Sequence, residues 1–124
     1  MGKWIGLVAG SVAGGIARYT LAGAAYRALG ADFPYGTLAV NLSGCFVIGV
    51  LDGLAEEKFL LGPQARVLLM TGFCGAYTTF STLILETDHL LRGGEFVRAA
   101  GNVLVSVGLG LALFRAGLYA SRAL

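Results

Sequence analysis

With 124 residues, 56% of them hydrophobic and only 13% charged, the chain lies far from the roughly 25% charged composition of soluble domains and belongs in a membrane. A net charge of +2, dispersed along the sequence, excludes a nucleic-acid partner. No Walker, dinucleotide-binding, zinc-protease or nucleophile-elbow spacing occurs, so neither an enzyme nor a nucleotide-driven pump is expected.

The first expected span runs from Trp4 to Tyr26 and is interrupted by Arg18. Lys3, the apolar run and Ala22-Gly23-Ala24 resemble a signal peptide. However, Gly6, Gly10 and Gly14 recur at every fourth position, a helix-packing stripe that a discarded leader would not need. An arginine inside a span costs at least about 2.5 kcal/mol, so Arg18 must avoid lipid. Two readings stand: its side chain snorkels to the interface, or it makes an electropositive mouth that attracts an anion.

Gly30 to Pro34 reads as a turn, and Phe33 to Leu51 as the second span, closed by Asp52. Asn41 lies near its middle, where an amide must find partners on another helix or along a wet path. Asn41-Leu42-Ser43 matches a glycosylation sequon by chance, since it lies within an apolar run. Cys45 here and Cys74 in the next span read as small packing residues. Glu56, Glu57 and Lys58 mark a polar connection, and Pro63 suits the start of a helix.

The third span is expected from Arg66 to Leu85, with Glu86 and Asp88 closing it and His89 at the interface. Its central stretch, Thr71 to Thr82, is unsuited to a plain lipid crossing. Gly72 and Gly75 are poor helix formers, and the hydroxyls of Thr78, Thr79, Ser81 and Thr82 compete for backbone hydrogen bonds. Irregular backbone survives in a bilayer only where protein or a wet cavity covers it, so this cluster predicts a helix broken at mid-span. A Gly93-Gly94 turn leads to the fourth span, Ala99 to Phe114, which carries Asn102 and Ser106. The fold expected is thus an all-α membrane protein, a single four-span unit.

With four spans, one side holds Lys3, Lys58, Arg66, Arg115 and Arg122, and the other Arg18, Arg27, Arg92 and Arg98. That near balance sets no firm orientation, which predicts insertion both ways and an antiparallel, dual-topology homodimer.

Three blocks carry a family resemblance: Gly14-Gly-Ile-Ala-Arg18-Tyr19, Gly36-Thr-Leu-Ala-Val-Asn41 with Gly44, and Gly72-Phe-Cys-Gly-Ala-Tyr-Thr-Thr-Phe-Ser-Thr82. They resemble the signature segments of the Fluc, or CrcB, fluoride channels. The resemblance implies a bacterial inner-membrane protein that passes fluoride through an antiparallel dimer. It implies Asn41 on the pore wall, Phe80 meeting the ion with its ring edge, and Ser81, Thr82 and Ser106 supplying hydroxyls. Arg18 would stand at a vestibule and Glu86 near an entrance. Backbone carbonyls of Gly75 and Thr78 from both subunits would hold a central sodium ion. Two positions depart from the pattern: Leu83 stands where a second phenylalanine is common. Asn102 stands where some members carry a tyrosine, and it retains a donor for the path.

A proton-coupled exporter of cationic drugs is the competing reading, and it needs a carboxylate deep in the bundle. All seven acidic residues are expected in connections or at span ends, which argues against it. A structural subunit without transport would leave the Thr, Ser and Asn complement unexplained.

Overall fold

Glycine decides how closely the spans approach, and the four spans are long, apolar and helical, save for one extended pair of residues inside the third. The structure, a computed structural model, describes residues 1–124 and contains no β-strand. Helix α1 is Gly2–Leu29, and Gly30, at φ 89°, ends it with its N–H donating to the Tyr26 carbonyl. Helix α2, Tyr35–Asp52, runs on through one wide-turn segment, Gly53–Glu57. The third span is assembled from α3 (Pro63–Arg66), a wide-turn segment Val67–Cys74, α4 (Gly75–Tyr77) and α5 (Phe80–Arg92). Between α4 and α5 the backbone is extended at Thr78 (φ −86°, ψ 159°) and Thr79 (φ −152°, ψ 108°). Helix α6 is Phe96–Ser121. Four stretches, Gly2–Leu29, Tyr35–Glu57, Pro63–Arg92 and Phe96–Ser121, are long and apolar enough to cross a membrane, as a multi-pass protein requires.

Every span extends beyond the uncharged run that announced it. The second continues past Asp52, the third starts at Pro63 and reaches Arg92, and the fourth gains residues at both ends. The physical reason is that a helix does not stop where lipid stops; its ends stand in the headgroup region, where charge is tolerated. One consequence corrects the sequence reading. Glu86 does not close the third span but lies six residues short of the end of α5, roughly 9 Å along the axis at 1.5 Å per residue.

The glycine stripe of α1 meets the third span. A Cβ at Gly10 would collide with the Leu68 carbonyl, and one at Gly14 with the Phe73 carbonyl. Helices α2 and α6 meet in the same way, Gly49 against the Phe114 carbonyl and Gly117 against the Phe46 carbonyl. In lipid no hydrophobic drive brings helices together, so such backbone approach supplies the dispersion contacts that do.

The connection between the second and third spans is tied down by arginines. Arg66 donates to the carbonyls of Leu61 (3.0 Å) and Ala55 (2.7 Å) and pairs with Glu56. Arg122, just beyond α6, forks onto Glu57 with contacts of 3.0 and 3.1 Å. That pair raises the Arg122 pKa above its ordinary value through the carboxylate's hydrogen bond and charge.

Candidate functional site

Two cavities flank the extended Thr78–Thr79 segment, and Thr79 lines both. The larger, about 750 Å³, opens between α1, α2 and α5 and brings together Arg18, Arg27, Thr82 and Glu86. Arg18 thus lines this cavity. The second, about 350 Å³, lies between α2, the third span and α6. Asn41, Gly75, Thr78, Phe80, Leu83 and Ser106 line it, and no charged residue does.

Local sequence explains how the donors come to stand there. Thr79 caps α5: its hydroxyl accepts from the Thr82 N–H (3.3 Å) and shares hydrogen bonds with the hydroxyls of Thr82 (2.9 Å) and Ser81 (3.4 Å). Helix α2 approaches this segment because Gly44 leaves space that the Thr78 methyl fills. Asn41 then reaches the Thr79 peptide with both ends of its amide, donating to the carbonyl at 3.0 Å and accepting from the N–H at 2.7 Å. Phe80 is 74% exposed on the chain, and the Ser106 hydroxyl is buried with no partner in the chain. An unpaired buried hydroxyl costs about 1 to 3 kcal/mol, which leaves Ser106 with a free donor on the wall of this cavity.

Glu86 is held by groups that the sequence reading did not single out. The hydroxyls of Tyr26 and Thr37 each donate to its Oε1 at 2.8 Å, while Oε2 is buried with no partner in the chain. Thr37 could have been suspected as a hydroxyl in an apolar span; Tyr26 carried no signal, since the pairing spans 60 residues. The argument that no carboxylate enters the bundle therefore fails for Glu86. Glu86 lines the larger cavity with one oxygen held by two hydroxyls and the other unpaired, whereas the second cavity holds no carboxylate.

Asn102 departs from the expected path. It is 1% exposed between α5 and α6, where its amide donates to the Thr87 hydroxyl at 3.0 Å, and it does not line either cavity. The physical reason is its neighbour: Thr87 offers an acceptor one helix away, and a buried amide takes the nearest partner. Thr87→Val is expected to destabilise the protein by about 1 to 3 kcal/mol by orphaning that amide. Thermal unfolding of the variant beside the parent checks this.

The comparisons with known proteins agree. The family described as CrcB-like protein, Camphor Resistance (CrcB), matches residues 5–118. A fluoride-specific ion channel FluC of Maridesulfovibrio salexigens is 39% identical over 122 residues, covering 98% of this chain and 97% of that protein. Another, from Chlorobaculum tepidum, is 49% identical over 109 residues, 88% of this chain and 86% of its own length. The fluoride-specific ion channel FluC 2 of Bradyrhizobium diazoefficiens is 45% identical over 115 residues, 91% of this chain and 84% of that protein. A match from residue 5 to residue 118, over the glycine contacts, the extended threonines and the Ser106 hydroxyl alike, makes this chain a member of the CrcB family.

Proposed function

We propose that the chain forms a fluoride-selective channel in a bacterial inner membrane, passing the ion passively down its electrochemical gradient. One observation carries the reading: over most of its length the chain is 39 to 49% identical to proteins named fluoride-specific ion channels. The chemistry of the cavities supports it. Fluoride sheds its water only for strong donors; Asn41 and Ser106 in one cavity and Thr82 in the other offer amide and hydroxyl protons, and the Phe80 ring edge offers the positive part of its quadrupole. Ser81 lies on the exposed side of α5 outside both cavities and joins them only through the Thr79 hydroxyl. Arg18 and Glu86 stand in the larger cavity, as a vestibule whose arginine attracts the anion and whose carboxylate has one oxygen held by Tyr26 and Thr37. Asn102 takes no part in this route. A negative cell interior favours exit of an anion by about 2.3 kcal/mol per 100 mV, so no energy source is needed.

The third span is broken at mid-length in this reading, and the extended dihedrals of Thr78 and Thr79 support it. Two copies would meet there as an antiparallel dimer. The donor set fits sodium: the Thr78 carbonyl takes part in no backbone hydrogen bond, and Gly75 is exposed. Carbonyl oxygens of Gly75 and Thr78 from both copies would hold the ion, which supplies a structural cross-link between them.

Liposomes loaded with potassium fluoride and carrying the purified protein are expected to release fluoride, while chloride-loaded vesicles retain their ion. Release of fluoride no faster than from protein-free vesicles would sink the reading. For the dimer, a C-terminal tag is expected to be accessible on both faces of the membrane in comparable amounts. Every copy found on one side would remove dual topology.

A further inference from the structure

Between α4 and α5, neither the N–H nor the C=O of Thr79 has a backbone partner. Such groups at membrane depth need a substitute, and Asn41 provides it for both, with the contacts of 3.0 and 2.7 Å described above. Its carboxamide thus imitates a neighbouring strand. The carboxamide has two N–H protons, and the Thr79 carbonyl takes one of them.

We infer that Asn41 is a positioning residue for conduction: by pinning the Thr79 peptide it sets the direction of the Thr79 side chain, and through it the hydroxyls of Ser81 and Thr82. The inference rests on the channel reading and goes beyond a place for Asn41 on the pore wall. Three observations join to carry it. Thr79 follows Thr78 in extended backbone, a conformation that the flanking helices cannot impose by their own hydrogen bonds. Its hydroxyl is the hub that Ser81 and Thr82 share, so a rotation about the Thr79 peptide moves both. Thr79 is also the wall common to the two cavities, so the same rotation reshapes both. The position of Asn41 is itself fixed, since α2 comes this close only through Gly44.

The test uses full-length protein labelled with ¹⁵N-threonine in lipid nanodiscs, with parallel fluoride flux from liposomes. Asn41→Leu keeps the size of the side chain and removes both hydrogen bonds. In that variant the Thr79 amide is expected to exchange with deuterium at least about tenfold faster, as for a backbone group that has lost its partner. The Thr82 resonance should shift with it, those of Thr20 and Thr87 should hold still, and flux should fall by about tenfold or more. Asn41→Asp keeps an acceptor for the Thr79 N–H, so Thr79 exchange is expected to stay close to that of the parent, which guards against a Leu variant that fails to fold. Reduced flux in Asn41→Leu with the Thr79 and Thr82 amides unmoved would overturn the positioning role and leave the channel reading intact. A faster Thr79 amide with parental flux would also overturn it. A parent protein that moves no fluoride would instead remove the channel reading, and conduction as the purpose of the clamp with it, while the exchange data would still show whether Asn41 holds Thr79.

Discussion

Gly49→Ala is expected to leave little folded protein, the largest single effect anticipated for this chain. The added methyl would collide with the Phe114 carbonyl, a backbone atom within α6, so no rotamer change can relieve it. Only separation of α2 from α6 would, and Gly117 on α6 meets the Phe46 carbonyl across the same contact. The two glycines therefore hold one interface from both sides, and opening it at one loosens the other. Overpacking typically costs about 1 to 3 kcal/mol where side chains can yield, and a clash between backbones belongs at or above the top of that range. Gly108→Ala is the matched control: nothing stands within 4 Å of its Cβ direction, and alanine is the better helix former by roughly 1 kcal/mol. The yield of monodisperse protein after extraction, and its thermal stability, should drop sharply for Gly49→Ala and hold for Gly108→Ala. Parental yield and stability for Gly49→Ala would show that the two helices are not held at this distance in the membrane.

How much of this was legible in the sequence depends on the range of the interaction concerned. The four spans were legible because apolar runs and their punctuation are local: Gly30, Pro63 and Gly93-Gly94 each mark a connection that the structure contains. The stripe of Gly10 and Gly14 was legible as a packing face, but not its partner, the wide-turn segment with the Leu68 and Phe73 carbonyls. Helix ends were misjudged wherever a charge was read as a stop. Asp52 and Glu86 both sit inside helical stretches, and Glu86 is tolerated because Tyr26 and Thr37 come from two other spans to meet it. No local pattern encodes a pairing across 60 or 49 residues. The placement of Asn102 was hidden for the opposite reason. Its partner Thr87 is only 15 residues away, but a buried amide between two helices and an amide facing a path look alike in one sequence. Asn41 shows the same ambiguity resolved differently: it lines a cavity and also ties two elements together.

Phe80→Leu is expected to lower fluoride flux by at least about tenfold, equivalent to roughly 1.4 kcal/mol on the passage of the ion. Phe80 and Leu83 line the same cavity, but they are placed very differently. Phe80 is 74% exposed on the chain and free to present its ring edge, whereas Leu83 is 6% exposed and packed in the bundle. Only an aromatic edge carries the positive rim that a dehydrated anion can approach; leucine presents methyl groups that replace none of the lost water. If this division of labour holds, Leu83 is a dry wall, and Leu83→Phe will not add a second aromatic contact. The larger ring would have to enter a position already filled, at a cost of about 1 to 3 kcal/mol, and would narrow a cavity of about 350 Å³. Leu83→Phe is therefore expected to conduct more slowly than the parent and to unfold at lower temperature. Flux of the parent, Phe80→Leu and Leu83→Phe from one preparation, normalised to folded protein, separates the cases. A Leu83→Phe variant faster than the parent would mean that this position contributes to the ion's contacts after all. Unchanged flux in Phe80→Leu would take the aromatic ring out of the mechanism and leave the anion to the hydroxyls and the Asn41 amide.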